Sequence, residues 1–110
     1  MAQLYRILAQ SGPVANTNTD LYTVPAGTET VISTITVVNR SSSVTTSYRL
    51  AVVPSGQTLG NQHYIAFDAP LSPFDSATIS VGITVGAGDK IICFVSAENV
   101  TFNVFGVQFS

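Results

Sequence analysis

The sequence predicts an all-β fold: one antiparallel β-sandwich of about eight strands, jelly-roll-like in its connections. Three observations predict it. Apolar residues recur with period two and no segment carries a helical period. Short strand-like runs are separated by clusters of Gly, Pro, Asn and Ser, without intervening helices. The 110 residues suit a single domain with one two-layer core. The absence of tryptophan and of a cysteine pair removes the core markers of an antibody-type sandwich and favours the jelly roll.

Taken in order, Leu4 to Ala9 reads as the first strand, and Gln10 to Asp20, rich in Ser, Asn and Thr, as a long loop or arm. Asp20 to Val24 is a short strand closed by the turn Pro25-Ala26-Gly27. In Thr30 to Asn39, Val31, Ile35 and Val37 share one face, while Ile32 and Val38 join Thr34 and Thr36 on the other. Both faces are therefore expected to touch protein. After the turn Asn39 to Ser43 come strands at Thr46 to Val53 and His63 to Asp68, separated by Pro54-Ser55-Gly56. Pro70 to Pro73 reads as a turn. The clearest alternation follows, with Ala77, Ile79, Val81, Ile83 and Val85 facing one way and Thr78, Ser80, Gly82 and Thr84 the other. Gly86 to Asp89 is a tight hairpin before strands at Lys90 to Ala97 and Val100 to Phe109.

Composition speaks to function. Hydrophobic residues make up 45% of the chain, yet only four residues are Lys or Arg and six are Asp or Glu. An ordinary domain has about a quarter charged residues. Thr, Ser, Asn and Gly take their place here, as in a β module built to lie against other protein, which suggests assembly more than catalysis. The net charge of −2 is spread thinly, so no basic stripe exists to neutralise phosphates, and neither nucleic acid nor an anionic membrane is expected as a partner. The N-terminal segment Met1 to Arg6 lacks the features of a secretory signal, and no run approaches the roughly 18 apolar residues of a membrane span. Synthesis and use in a cytoplasm, or in a particle assembled there, are expected.

Few residues suggest chemistry. The single cysteine, Cys93, lies in the apolar run Ile91 to Val95 and reads as a small buried hydrophobe. The single histidine, His63, has no companion ligands in sequence and reads as a structural hydrogen-bonding group. Gly86-Ala87-Gly88-Asp89 lacks the third glycine and the helix of a phosphate loop. Asp68 and Asp75 flank a turn and are explained by turn chemistry. Without tryptophan a sugar-stacking platform is not supported, and burial of most phenylalanines is expected. Asn39-Arg40-Ser41 and Asn99-Val100-Thr101 match the glycosylation pattern, which carries little meaning without a secretion signal. No catalytic residue, cofactor or metal is expected.

The run Asp20-Leu21-Tyr22-Thr23-Val24-Pro25-Ala26-Gly27-Thr28, followed by Val31 to Arg40, resembles small virion structural proteins of tailed bacteriophages. So do Tyr48 to Val52, His63 to Asp68 and Phe102 to Gly106, and the resemblance spans roughly Asp20 to Gly106. It implies a virion component: a head decoration, or cement, protein that packs on the lattice of the major capsid protein, commonly as a homotrimer. A small tail or baseplate subunit, or a receptor- or glycan-binding module, is the alternative. Neither heptads nor repeats are visible, which favours the capsid surface over a fibre shaft. Candidate contact residues are Asn16 and Asn18 in the arm, Arg40 and Ser42 in the loop to Thr46, and the scarce cations Arg6 and Arg49. Arg49 is expected on the strand face opposite Tyr48 and Leu50, which leaves it facing either solvent or a partner.

Overall fold

Period-two runs become strands here because each buries one face against a facing sheet. The computed structural model describes residues 3–110. Its strands are β1 (Gln3–Ser11), β2 (Thr19–Thr23), β3 (Glu29–Asn39), β4 (Thr46–Val53), β5 (Tyr64–Leu71), β6 (Ser76–Val85), β7 (Lys90–Val95) and β8 (Val100–Phe109). One 3-10 turn, η1 (Asn61–His63), leads into β5. Met1 and Ala2, which open the segment read above as free of a secretory signal, lie outside the described residues.

The strands form two four-stranded antiparallel sheets, ordered β1-β8-β3-β6 and β2-β7-β4-β5. Every connection except β4 to β5 crosses from one sheet to the other, the double Greek-key path of a jelly roll. The core between the sheets is aliphatic, built on Ile32, Ile35 and Val37 of β3, Leu50 of β4, Ile91, Cys93 and Val95 of β7, and Phe102 and Val104 of β8. A polar pin crosses it. The Tyr22 hydroxyl accepts from Gln108 Nε2 at 2.8 Å and lies 3.0 Å from Thr30 Oγ1. That satisfies three groups whose burial alone would cost free energy.

A line of bulges crosses the first sheet. Opposite the unbroken run Val104, Phe105 and Gly106 of β8, β1 carries the extra residue Leu8 between the partners of Val104 and Phe105, and β3 the extra residue Ser33 between the partners of Phe105 and Gly106. Across from Ser33, β6 in turn spends two residues, Val81 and Gly82, with Gly82 at φ +58°. Ser33 Oγ donates to the Phe105 carbonyl at 3.1 Å and closes the gap. The bulge corrects the face expected for β3. Ile32 and Ile35, three residues apart, both point into the core, and Val31 faces outward opposite Val107. In β6, Ala77, Ile79, Ile83 and Val85 keep the expected inward face, and the side chain of Val81 lies outside those described.

Three further boundaries differ from expectation. Gln10 and Ser11 pair with Asn103 and Phe102, and Thr19 and Asp20 pair with Cys93 and Ile92, so ladder hydrogen bonds shorten the arm to residues 12–18. The backbone N–H of Asn16 ties that loop to the Val95 carbonyl at 2.8 Å. Pro70 and Leu71 belong to β5, where an edge strand tolerates proline. The turn is Ser72 to Asp75, closed by the Asp75 N–H on the Ser72 carbonyl. Finally, β7 stops at Val95, because Ser96 turns its hydroxyl to accept from the Ser47 N–H.

Candidate functional site on the outer faces of the sandwich

The phenylalanines set the surface apart from an ordinary one. Phe102 is buried, but Phe94, Phe105 and Phe109 are half-buried, and Phe67 and Phe74 are 56% and 74% exposed. The expectation that most would fill the core is overturned, because aliphatic side chains already fill it.

On the first sheet the cause is a change of phase in β8. Val100, Phe102 and Val104 point inward, with Thr101 and Asn103 outward. Beyond Val104 the apolar residues move to the outward positions Phe105, Val107 and Phe109, while the strand itself stays regular. Register places Ile7, Tyr5 and Gln3 beside them on one flank and Thr34, Val31 and Glu29 on the other. Tyr5 is 80% and Ile7 56% exposed. The rest of this face is Gln10, Thr36, Val38, Thr78, Ser80 and Thr84. Among the described residues Glu29 is the one charged side chain that register places on it.

The outer face of the second sheet carries a denser cluster. Edge strand β5 bulges twice, at Ile65 and at Phe67-Asp68, with Asp68 in the left-handed region at φ +50°. The second bulge brings Asp68 and Phe67 to Arg49 of β4. Arg49 Nε donates to Asp68 Oδ1 at 2.6 Å and Nη2 donates to Oδ2 at 3.3 Å. The guanidinium carbon lies 4.3 Å from the centre of the Phe67 ring and 4.5 Å from that of Phe94. Tyr64 meets Phe67 edge-on at 4.9 Å. Beside them an open hollow of about 320 Å³ is lined by Asn61, Tyr64 and Phe67. The hydrogen bond that Arg49 donates to Asp68 raises the Arg49 pKa above its ordinary value. Arginine among aromatic rings is a surface of the kind that carries energy in protein contacts. As expected, Arg49 faces away from the buried Tyr48 and Leu50.

The candidate contact residues divide into three places. Asn16 and Asn18 in the loop 12–18, and Arg40 and Ser42 in the loop after β3, lie at one end of the sandwich and are exposed. A shallow hollow there is lined in part by Pro13, Val14, Arg40 and Asn99. Arg40 Nε donates to Thr101 Oγ1 at 2.8 Å, and its N–H donates to the Asn99 carbonyl. Arg6 is on edge strand β1 and Arg49 on the second sheet, so neither joins that group. Sequence reasoning missed Tyr5, Ile7, Phe67 and Phe94. For Phe105 and Phe109 the signal was present in the shift of apolar phase along β8.

Other polar groups are structural. His63 Nδ1 accepts from the Gly60 N–H at 2.9 Å, which leaves Nε2 to donate to Gln57 Oε1 at 3.0 Å. The ring locks the loop between β4 and β5. The turn Gly86 to Asp89 is not the hairpin expected there, because it passes from β6 of one sheet to β7 of the other; Asp89 caps it, accepting from the N–H groups of Gly86 and Ser55 at 2.8 Å each. Asn39 is buried, its Nδ2 donating to the carbonyls of Val44 and Leu71. Among the described residues no three His, Cys, Asp or Glu side chains gather as metal ligands. Every buried side-chain nitrogen or oxygen among them has a hydrogen-bond partner. A scan against protein-family models and a search of curated proteins find no match to this chain.

Proposed function

We propose that this chain is a structural virion protein: a capsid decoration, or cement, protein that binds the lattice of the major capsid protein and stabilises it. The observation that carries the reading is the outer face of the first sheet, where Tyr5, Ile7, Phe105, Val107 and Phe109 are displayed together and Glu29 is the one charged side chain that register places beside them, Arg40 reaching Thr101 at the far end. Surfaces of this kind mark protein contacts. The resemblance to phage structural proteins and the use of jelly rolls in viral shells support the reading by analogy. In it the protein works as a homotrimer without catalysis, cofactor or metal. The loop end bearing Asn16, Asn18, Arg40 and Ser42 meets the lattice. Binding across neighbouring capsid subunits shifts the equilibrium toward the intact shell by mass action.

Sedimentation with purified shells tests it. The protein should pellet with expanded phage shells at saturating stoichiometry and raise their melting temperature. A protein that stays in the supernatant at every shell concentration sinks the reading.

One observation favours a second reading, a receptor- or glycan-binding tail module: the hollow at Asn61, Tyr64 and Phe67, with aromatic rings, an amide and the Arg49–Asp68 pair side by side. Saccharide titration followed by chemical shifts of these residues distinguishes the two.

A further inference from the structure

We infer that the hollow at Asn61, Tyr64 and Phe67 is a docking site for a proline-rich segment of a partner, bound as a polyproline II helix with a basic residue beside the prolines. The inference goes beyond the readings above. It uses the second sheet, not the loop end or the first sheet, and gives the hollow a peptide occupant in place of a saccharide.

The rings of Tyr64 and Phe67 meet at 82° with their centres 4.9 Å apart. Two rings at a right angle leave a notch with apolar walls, and with Asn61 they line the hollow of about 320 Å³. A pyrrolidine ring is small and apolar enough to enter it. Phe67 is 56% exposed, so its ring is not spent on the core. It is nevertheless held in place, because Arg49 lies 4.3 Å from its centre and is itself held by Asp68. Aromatic-lined hollows of this kind recognise proline-rich segments.

The surroundings select that ligand among others. An open hollow buries little area, so its ligand must lose little freedom on docking. Proline has no rotamers to lose, and its helix is formed before it binds. The bulges at Ile65 and Phe67-Asp68, together with Pro70, break the free edge of β5 and keep an extended peptide from adding as a strand. A polyproline helix needs no ladder, but its carbonyls accept hydrogen bonds. Around η1 the side-chain bonds join Gly60, Gln62, His63 and Gln57, which leaves the exposed Asn61 amide to donate to such a carbonyl. A saccharide carries hydroxyls around its whole rim, and the three lining side chains offer it one amide and one phenol.

Charge completes the match. Asp68 is 46% exposed against 28% for Arg49, so the carboxylate is the outer member of the pair. It borders the hollow and attracts a cation flanking the prolines.

The test is a titration of the labelled full chain, followed by chemical shifts. The probes are a blocked polyproline peptide of about ten residues, a Gly-Ser peptide of the same length, and lactose. Polyproline should shift Asn61, Tyr64 and Phe67 saturably, and the Gly-Ser peptide should not. Phe67→Ala should abolish the shifts, Asn61→Ala should weaken binding by about three- to tenfold, and Tyr5→Ala on the other sheet should bind as the wild type. Circular dichroism with thermal melting checks that each variant folds. A terminal Arg on the peptide should bind about threefold more tightly than a terminal Glu at low salt, the difference fading at about 0.5 M salt. Equal affinities overturn the place given to the basic residue. No saturable shift with polyproline at about 5 mM overturns the whole inference, as does binding that survives Phe67→Ala in a folded chain. Lactose that shifts these residues where polyproline does not overturns it too and gives the hollow to a saccharide.

Discussion

The hydroxyl of Tyr22 lies 3.0 Å from Oγ1 of Thr30, across the gap between the two sheets. With the Gln108 amide donating to the same hydroxyl at 2.8 Å, it is the polar link between β2 of one sheet and β3 and β8 of the other.

Removing that hydroxyl strands two partners. Tyr22→Phe should destabilise the fold by about 1–3 kcal/mol, measured by urea unfolding, because the Thr30 hydroxyl is fully buried. The double variant Tyr22→Phe/Thr30→Val should cost less than the sum of the single changes, since it removes both ends of the bond.

Gly106 lies where the bulge line brings strands together. A Cβ built on it would overlap the Val31 carbonyl oxygen and come within 3.1 Å of Ile32 Cα, both backbone atoms that cannot rotate away. Gly106→Ala should cost about 3 kcal/mol or prevent folding. Gly12→Ala, whose Cβ would meet its nearest atom at 3.9 Å, should stay within about 0.5 kcal/mol of wild type in the same assay.

Asp68 does two things at once: it holds a left-handed backbone and it pairs with Arg49. Asp68→Ala loses both and should lower Tm by about 4 °C or more. Asp68→Asn tolerates the backbone and keeps one acceptor, so its loss should be clearly smaller. Equal losses would mean that the left-handed backbone contributes nothing to the preference at this position.

Burial pushes the Cys93 thiol from its ordinary 9.0 up to about 12. Below pH 9 the thiol is neutral in both folded and unfolded chains and its contribution to stability is fully present. Between pH 9 and 12 only the unfolded chain ionises, so stability falls with a slope approaching about 1.4 kcal/mol per pH unit. Unfolding free energies from pH 8 to 11 should show this slope in the wild type and a shallower one in Cys93→Ala. The folded thiol should also resist a disulfide-exchange reagent until the chain unfolds.

The strands, their number and the jelly-roll class were legible in the sequence because period-two alternation and turn residues are local properties. So were the orientation of Arg49 away from Tyr48 and Leu50, and the structural bonding of His63. The phase of β3 and the outward placement of Phe105, Val107 and Phe109 were decided only by tertiary structure. A shift of apolar phase within one strand has two solutions: a bulge in that strand, which keeps the residues in the core, or a regular strand that turns them outward. Pairing chooses between them. Here the extra residues fall on Leu8 of β1 and Ser33 of β3, and Gly106 fits against Val31 and keeps β8 straight. The Arg49 stack has the same origin, since the bulges of β5 that aim Phe67 and Asp68 are set by register against β4. Periodicity belongs to one strand, whereas register belongs to two, and the surface offered to partners is written in the register.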